Sequence, residues 1–218
     1  MEILTKKQLA FLGQAGKNKL IKDSFYLTGG TALAEFYLKH RFSEDLDFFS
    51  EKEVDPLAID IFLKDSKDKL GIKTVDLQQS YNRNIFFLDY GGEILKTEFT
   101  YFPFARIEQG IIHEGIVIDS ILDIATNKLF TIYQRTKARD YIDLYYIIKE
   151  KQYNIDNLIK NAKLKFDWHI DPLQLGTQFA KAEEAEDLPR MIKHIDNEEW
   201  RKFYLQEAKK FKKDILEN

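Results

Sequence analysis

Short apolar runs bounded by turn residues predict β-strands in the first half of the chain. One run covers residues 25–28, and a second covers residues 45–49, where polar and apolar side chains alternate. Three further strand-like runs follow, over residues 72–79, 84–90 and 94–102. The glycines at 91 and 92 indicate a hairpin turn between the last two runs, so the strands end as an antiparallel meander.

Helical patterns lie between these runs. Thr5 precedes a helix with an apolar stripe, and apolar residues at helical spacing predict a second helix over residues 31–39. Asp55-Pro56 marks the beginning of a third helix, which Gly71 ends. This alternation of helices and strands predicts the α/β (α+β) class, with helices packed on a sheet.

From Ser120 onwards the apolar period is that of amphipathic helices. The second of these helices places Asp140 and Asp143 three residues apart on one face. Residues 155–218 continue the helical pattern, with breaks at prolines. We therefore predict two domains, an α/β core over residues 1–119 and a helical C-terminal domain over residues 120–218 that completes the active-site cleft.

The stretch between the first two predicted strands carries candidate chemistry. Gly29 and Gly30 lie between a strand and a helix, where glycine lets free backbone amides approach an anion such as phosphate. Asp45 and Asp47 alternate along the next strand, so both side chains leave the same face. Two like charges side by side are costly unless a cation lies between them, and Mg²⁺ takes carboxylates together with substrate phosphates. The combination predicts a nucleotide site.

Each of these features alone has a simpler explanation. Gly29-Gly30 also fits an ordinary turn, and Asp45 and Asp47 also fit solvated positions on an edge strand. The order of the features along the chain, strand, glycine turn, helix and alternating carboxylates, favours the nucleotide site over two unrelated coincidences.

Two motifs resemble those of a known family. The strings Gly-Gly-Thr-Ala-Leu at 29–33 and His-Arg-Phe-Ser-Glu-Asp-Leu-Asp-Phe-Phe at 40–49 resemble the first motif of the AbiEii/AbiGii toxin family. That family is a branch of the polymerase-β-like nucleotidyltransferases. Lys128-Leu129, Arg135 and the run Arg-Asp-Tyr-Ile-Asp-Leu at 139–144 resemble its later motifs, in the same order.

The resemblance implies a polymerase-β-like nucleotidyltransferase fold, a mixed sheet with flanking helices followed by a C-terminal helical region. It implies an enzyme that moves a nucleotidyl group from a nucleoside triphosphate to an acceptor hydroxyl, with Mg²⁺ or alternatively Mn²⁺ as cofactor. It also implies the toxin of a bacterial toxin–antitoxin or abortive infection system. The partners would be the nucleoside triphosphate, tRNA or another RNA as the leading acceptor, and a separate AbiEi-like antitoxin.

A third metal-binding carboxylate is expected from a neighbouring strand, because the polymerase-β-like site draws one from there. Glu98 is the candidate that would join Asp45 and Asp47, although the family usually has aspartate in this role. The alternative is that Glu98 is a solvated cross-strand partner. Asp76 and Asp89 also alternate with apolar residues and are weaker candidates.

The remaining site residues follow from the resemblance. Lys128 would bind nucleotide phosphates, and Asp140 or Asp143 would complete the active site as catalytic carboxylates. The other residues expected to contact the nucleotide are Gly29, Gly30, Thr31, Ser43 and Arg139. For the Arg-Asp pair at 139–140, local capping and pairing near a helix start is the structural alternative.

Amino-acid composition excludes some classes of protein but does not identify the function. Lys+Arg 33 against Asp+Glu 36 gives a formal net charge of −3, so the whole chain is not an electrostatic attractor for nucleic acid. The absence of cysteine excludes disulfides and thiolate chemistry and fits a reducing compartment. No apolar run has the length of a signal peptide core or a membrane span, so we expect a cytoplasmic protein without a membrane partner.

Two alternatives stay open on sequence alone. The first is a nucleotidyltransferase that acts on a protein or on a small molecule such as an antibiotic. The second is a non-catalytic binding module that retains the fold. Both would keep the glycine turn, but a binding module would not depend on Asp45 and Asp47 for its effect.

Overall fold

The computed structural model describes residues 3–217, with side chains through residue 211. The chain divides into two compact units. Of the described residues, the first unit comprises 3–37 and 43–120, and the second comprises 38–42 and 121–217. The short segment 38–42 therefore belongs to the second unit, although both of its neighbours in sequence belong to the first.

A mixed seven-stranded sheet forms the centre of the first unit. Its order is β3-β4-β5-β2-β1-β7-β6, in which β2 runs parallel to β5 and antiparallel to β1. The strands are β1 Tyr26–Thr28, β2 Leu46–Ser50, β3 Thr74–Ser80, β4 Arg83–Asp89, β5 Ile94–Tyr101, β6 Ile111–His113 and β7 Ile116–Ile118. The first five strands match the predicted runs, whereas the sequence pattern missed the three-residue strands β6 and β7.

Four α-helices accompany this sheet: α1 Lys6–Ala15, α2 Lys19–Ser24, α3 Gly29–Leu33 and α4 Pro56–Leu70. Thr5 caps α1 through a reciprocal capping box with Gln8, as its position before the apolar stripe predicts. Asp55 caps α4 and Gly71 ends it in the left-handed conformation, so both predicted boundaries of this helix are confirmed. The short α2 was not predicted.

The helix after the glycine turn differs from the prediction of a regular helix over 31–39. The α-helix α3 begins two residues earlier, at Gly29, and it continues as a π-helical turn over Ala34–Leu38. Lys39 then takes a positive φ of 51°, which ends the helical run. A π-turn adds a residue per turn and commonly marks functional sites, and residue period alone does not reveal it.

An aromatic core covers one face of the sheet. Phe48 stacks on Phe99 of the neighbouring strand at 4.9 Å between ring centroids, and Phe11 of α1 packs against both Phe48 and Phe62 of α4. Because side chains alternate along a strand, Asp47 leaves the opposite face of β2. Helices α1 and α4 thus occupy one face and leave the carboxylates on the other.

The second unit is helical. It contains α5 Ile121–Gln134, α6 Ala138–Lys151, α7 Ile155–Phe166, α8 Pro172–Ala180, a 3₁₀ turn Lys181–Glu184 and α9 Asn197–Glu217. Trp200 and Tyr204 of α9 are fully buried and pack against Tyr141 of α6. Among the helices of residues 3–217, none is long and apolar enough to span a bilayer.

Truncation of the central ring tests this account of the core. We expect Phe48→Ala to lower the free energy of unfolding by about 3–5 kcal/mol, because it leaves a cavity between its aromatic neighbours Phe11 and Phe99. Leu57→Ala on α4 is the control, since Leu57 is 59% exposed and should change stability by less than about 0.5 kcal/mol. Urea denaturation measures both, and equal losses would contradict the assignment of the core.

Candidate functional site

Three predicted carboxylates share one face of the sheet. Asp45 immediately precedes β2, Asp47 lies within it, and their alternation places both on the face away from α1 and α4. Asp47 is the register partner of Glu98 in the parallel pairing of β2 with β5, so Glu98 leaves the same face. Lys96, two residues before Glu98, does so as well.

The glycine turn lies directly against one of these carboxylates. Gly29 has a φ of +73°, which L side chains rarely adopt. A Cβ atom at this position would lie 2.5 Å from Oδ2 of Asp47, so any other residue would force the carboxylate to shift. Thr28 pairs with Asp47 between β1 and β2, and this pairing brings the turn to the carboxylate.

Basic side chains from the same sheet form ion pairs with Asp45 and Glu98. Lys96 Nζ lies 2.7 Å from Asp45 Oδ2. Arg83 of β4 donates from Nε and Nη2 to the two oxygens of Glu98 at 2.7 and 2.6 Å. The expectation that a metal ion must supply the compensating charge is therefore too strong, because the protein supplies cations of its own.

Burial and hydrogen bonds act in opposite directions on Glu98. Burial alone would raise the pKa of this carboxyl, but hydrogen bonds from Arg83 and Thr100 outweigh it and lower the pKa. Thr100 Oγ1 donates to Glu98 Oε1 at 2.7 Å. Glu98 is therefore an ionised carboxylate held in a fixed position at neutral pH.

The donor set suits a hard cation, within limits. Carboxylate oxygens are the ligands that Mg²⁺ prefers, and the lack of a side chain at Gly29 lets the carboxylate of Asp47 approach the glycine backbone. Within residues 3–217, however, no three His, Cys, Asp or Glu side chains are grouped closely enough to hold a metal ion. An ion at Asp45 would compete with Lys96 for the carboxylate, and an ion at Glu98 would compete with Arg83.

The hydroxyls predicted to contact phosphate fix the backbone beside Asp45. Thr31 is fully buried, and its Oγ1 lies 2.8 Å from Ser43 Oγ and bonds to the carbonyl oxygen of Asp45. Gln8 supports the same loop by donating to the carbonyl of Glu44 at 2.9 Å. These contacts position the carboxylate loop, and direct phosphate contacts of Thr31 and Ser43 stay a prediction.

The second unit contains a buried ion-pair cluster around Asp143. This carboxylate is fully buried and accepts from Arg41 Nε at 2.6 Å and Arg41 Nη2 at 2.8 Å. Lys128 Nζ lies 2.7 Å from both Asp143 Oδ2 and Asp140 Oδ1. His40 Nε2 lies 2.8 Å from Asp143 Oδ1, so segment 38–42 is anchored on α6.

The charges in this cluster hold one another in their ionised forms. Burial would raise the pKa of Asp143, but Arg41 and Lys128 hold it well below its ordinary value. Burial would lower the pKa of Lys128, but Asp143 and Asp140 raise it. Lys128 therefore stays protonated although its side chain is only 11% exposed.

These contacts bear on the roles predicted for the later motif. Asp143 has no exposed surface, so it contacts the cations it holds and does not reach a ligand itself. Asp140 binds Lys128 and also accepts from Arg135 Nη2 at 3.0 Å. Arg139 is exposed on α6, where the predicted phosphate contact stays open.

The position of His40 and Arg41 at a helix end fits local capping and contact with a substrate phosphate equally well, whereas sequence reasoning did not identify Arg83 and Lys96 as site residues. The alternation along 94–101 places Lys96 and Glu98 on one face and could have indicated Lys96. His40 and Arg41 follow a helix, where positive charge is common for purely local reasons. No local signal connects Arg83 to Glu98, because their contact depends on strand register.

The sheet, the glycine turn and the alternating carboxylates have the arrangement expected of a polymerase-β-like nucleotidyltransferase. Residues 11–213 match the family model for "Nucleotidyl transferase AbiEii toxin, Type IV TA system". The chain therefore belongs to the AbiEii nucleotidyltransferase toxin family, and the predicted fold and enzyme class are confirmed.

Three individual proteins are similar to this chain. Protein aq_aa25 of Aquifex aeolicus (strain VF5) is 36% identical over 148 residues, which cover 67% of this chain and 68% of that protein. JHP933 from Helicobacter pylori has a similar fold, with a TM-score of 0.60 and 22% identity, covering 97% of this chain and 91% of that one. A second H. pylori structure has a TM-score of 0.61 and 23% identity, and the match covers 98% of each chain.

Substitution of Gly29 tests its contact with Asp47. We expect Gly29→Ala to lose stability because of its positive φ and to lose nucleotidyl transfer because the new Cβ displaces the carboxylate. Gly71→Ala is the matched control, since Gly71 has a φ of +71° but no atom within 4 Å of the added Cβ. It should lose about 1–2 kcal/mol of stability and keep its activity. Full activity in Gly29→Ala would contradict the contact.

Neutralisation of Asp143 tests the buried cluster. Asp143→Asn leaves Arg41 and Lys128 without their shared counter-charge. We therefore expect the free energy of unfolding to fall by about 3–5 kcal/mol at pH 7. The pKa of Asp143 is lowered on folding, so its contribution is present above about pH 4, the unfolded value, and is lost as pH falls through that range.

The difference in the free energy of unfolding between the native protein and Asp143→Asn should therefore decrease by about 1 kcal/mol between pH 7 and pH 3. Denaturant unfolding at the two pH values measures it. Asp65→Asn, at an exposed position of α4, should stay within about 0.5 kcal/mol of the native protein. A gap for Asp143→Asn that stays constant with pH would contradict the proposed charge interaction.

Proposed function

We propose that this nucleotidyltransferase is Mg²⁺-dependent and moves a nucleotidyl group from a nucleoside triphosphate to an acceptor hydroxyl, as the toxin of a toxin–antitoxin or abortive infection system. The observation that carries the proposal is the contact of Asp47 with the Gly29 backbone, beside Asp45 on the same sheet face. A carboxylate for a cation and amides for a phosphate thus lie side by side.

Asp45 and Asp47 would hold Mg²⁺, with Mn²⁺ as an alternative ion, and Glu98 is the third candidate ligand. When bound, the ion would activate the attacking hydroxyl and stabilise the leaving pyrophosphate. The roles of the residues around it are positional. Gly29 and Gly30 would offer amides to the triphosphate, while Thr31 and Ser43 keep the loop at Asp45 in place.

The reaction balances without a further reactant. The acceptor oxygen forms a bond to the α-phosphorus, the bond from that phosphorus to the bridging oxygen breaks, and pyrophosphate leaves. The proton of the hydroxyl is released to water. Catalysis of such a transfer depends mostly on alignment and charge neutralisation, which the carboxylates and the glycine turn would provide.

In the second unit, Lys128 and Arg139 are the candidates for contact with nucleotide phosphates. The raised pKa of Lys128 supports this role, since its ammonium stays charged throughout the physiological range. Asp140 and Asp143 would serve catalysis indirectly, by fixing the direction of the Lys128 side chain. Asp143 is buried, so in this proposal it positions Lys128 and does not contact the reacting atoms.

The acceptor is the least constrained part of the proposal. We propose tRNA, on the family resemblance, with another RNA as the next choice. The net charge of −3 means that any RNA contact must be local rather than a property of the whole surface. A separate AbiEi-like antitoxin as partner, and a cytoplasmic location where nucleotides and tRNA occur, belong to the same proposal.

A nucleotidyltransferase of a different acceptor, a protein or an antibiotic, would use the same carboxylates. A non-catalytic module would not need them. The charge compensation of Asp45 by Lys96 keeps this last alternative chemically reasonable, because the carboxylates are stable without substrate. Transfer of label therefore has to be measured directly.

The test is incubation with total RNA, Mg²⁺ and each α-labelled nucleoside triphosphate in turn. We expect label in tRNA with the native protein, and a loss of at least about 100-fold in Asp47→Asn and Asp45→Asn, since each removes a metal-binding oxygen. Asp76→Asn is the control, because Asp76 is an exposed carboxylate on β3 of the same sheet. It should transfer label at the native rate.

The distribution of label separates the alternatives. Label in protein or in a small-molecule fraction would move the acceptor away from RNA while leaving the reaction intact. A folded Asp47→Asn variant that transfers label at the native rate would remove the proposed site.

A further inference from the structure

We propose that Lys96 is a releasable internal counter-ion that competes with the divalent cation for Asp45. This inference rests on the proposed function, since it concerns the same carboxylates, and it adds the residue that sets their affinity for the ion. Lys96 lies on β5, and its side chain leaves the same face of the sheet as that of Asp45. Its ammonium lies 2.7 Å from Asp45 Oδ2.

The two cation contacts on this face differ in how easily they open. The side chains of Lys96 and Asp45 are 30% and 37% exposed, so water can replace each partner when the pair separates. The side chain of Glu98 is 7% exposed, and Arg83 donates hydrogen bonds to both of its oxygens. Opening that pair would leave a buried carboxylate without a counter-charge. Lys96 is therefore the cation that an incoming ion displaces first.

The consequence is a coupling between ion and nucleotide. While Lys96 rests on Asp45, its charge repels a divalent ion at Asp45 and Asp47 and weakens binding of the ion alone. A triphosphate offers the ammonium another anion on the same face, so it would draw Lys96 away from Asp45. The ion then binds more tightly in the presence of the nucleotide than without it.

The test is the affinity for Mn²⁺ alone, measured from the electron paramagnetic resonance signal of free Mn²⁺ in titrations of the whole chain. We expect Lys96→Met to bind Mn²⁺ about threefold to tenfold more tightly than the native protein, because one competing charge is gone. Lys96→Arg, which keeps the charge, should stay close to the native affinity. Circular dichroism checks that each variant is folded.

Lys7→Met is the matched control. Lys7 has the same side-chain exposure, 30%, and also pairs with a carboxylate, but that carboxylate is Glu93 in the hairpin turn. The substitution changes the net charge equally and should leave Mn²⁺ affinity unchanged. In an Asp45→Asn background, Lys96→Met should give no gain, since the contact it removes is already absent.

The outcomes separate this inference from the proposed function. If Asp47→Asn weakens Mn²⁺ binding but Lys96→Met binds as the native protein does or more weakly, the counter-ion role is overturned and the metal site stands. If Asp47→Asn and the native protein bind Mn²⁺ equally, or neither binds it, the metal site itself is overturned and the role of Lys96 with it. An equal gain in Mn²⁺ affinity in Lys7→Met would show that the effect comes from net charge alone, and this too would overturn the counter-ion role of Lys96.

Discussion

Carboxylates crowded on one face of a strand are tolerated here because neighbouring strands supply cations, and the arrangement of the first unit follows from that constraint. Strand β2 lies between β5, which contributes Lys96 and Glu98, and β1, which leads into Gly29. Placing β2 in the interior of the sheet thus brings counter-charge from one side and a glycine turn from the other. The aromatic core on the opposite face holds this register in place.

The helical unit also compensates a carboxylate with neighbouring cations, but there the carboxylate is completely buried. Asp143 is fully buried, and Arg41, Lys128 and His40 all converge on it, whereas the Asp45 pair is open to water. A fully enclosed carboxylate needs several fixed partners, which makes it a rigid support. A partly exposed one can exchange partners, which suits an ion and a nucleotide that come and go. Burial thus distinguishes the supporting Asp143 from Asp45, which is proposed to bind the ion.

Local signals in the sequence were sufficient for much of this fold. Thr5, Asp55 and Gly71 act within one helical turn, so the beginning of α1 and both ends of α4 could be predicted. Residue alternation placed Asp45 and Asp47 on one face. The π-turn at 34–38 and the three-residue strands β6 and β7 have no such signal. The cations on the carboxylates were missed because their contacts depend on register and on long sequence separation; Arg41 and Asp143 are 102 residues apart.

The most direct measurement of the central claim is a titration of ¹⁵N-labelled protein with substoichiometric Mn²⁺, read as paramagnetic broadening of backbone amide signals. The account predicts that the amides of Gly29 and of residues 45–47 broaden first, and that the selectivity disappears in Asp47→Asn. Uniform broadening, or selective broadening elsewhere while the Gly29 signal stays sharp, would contradict a cation site at the carboxylates of β2.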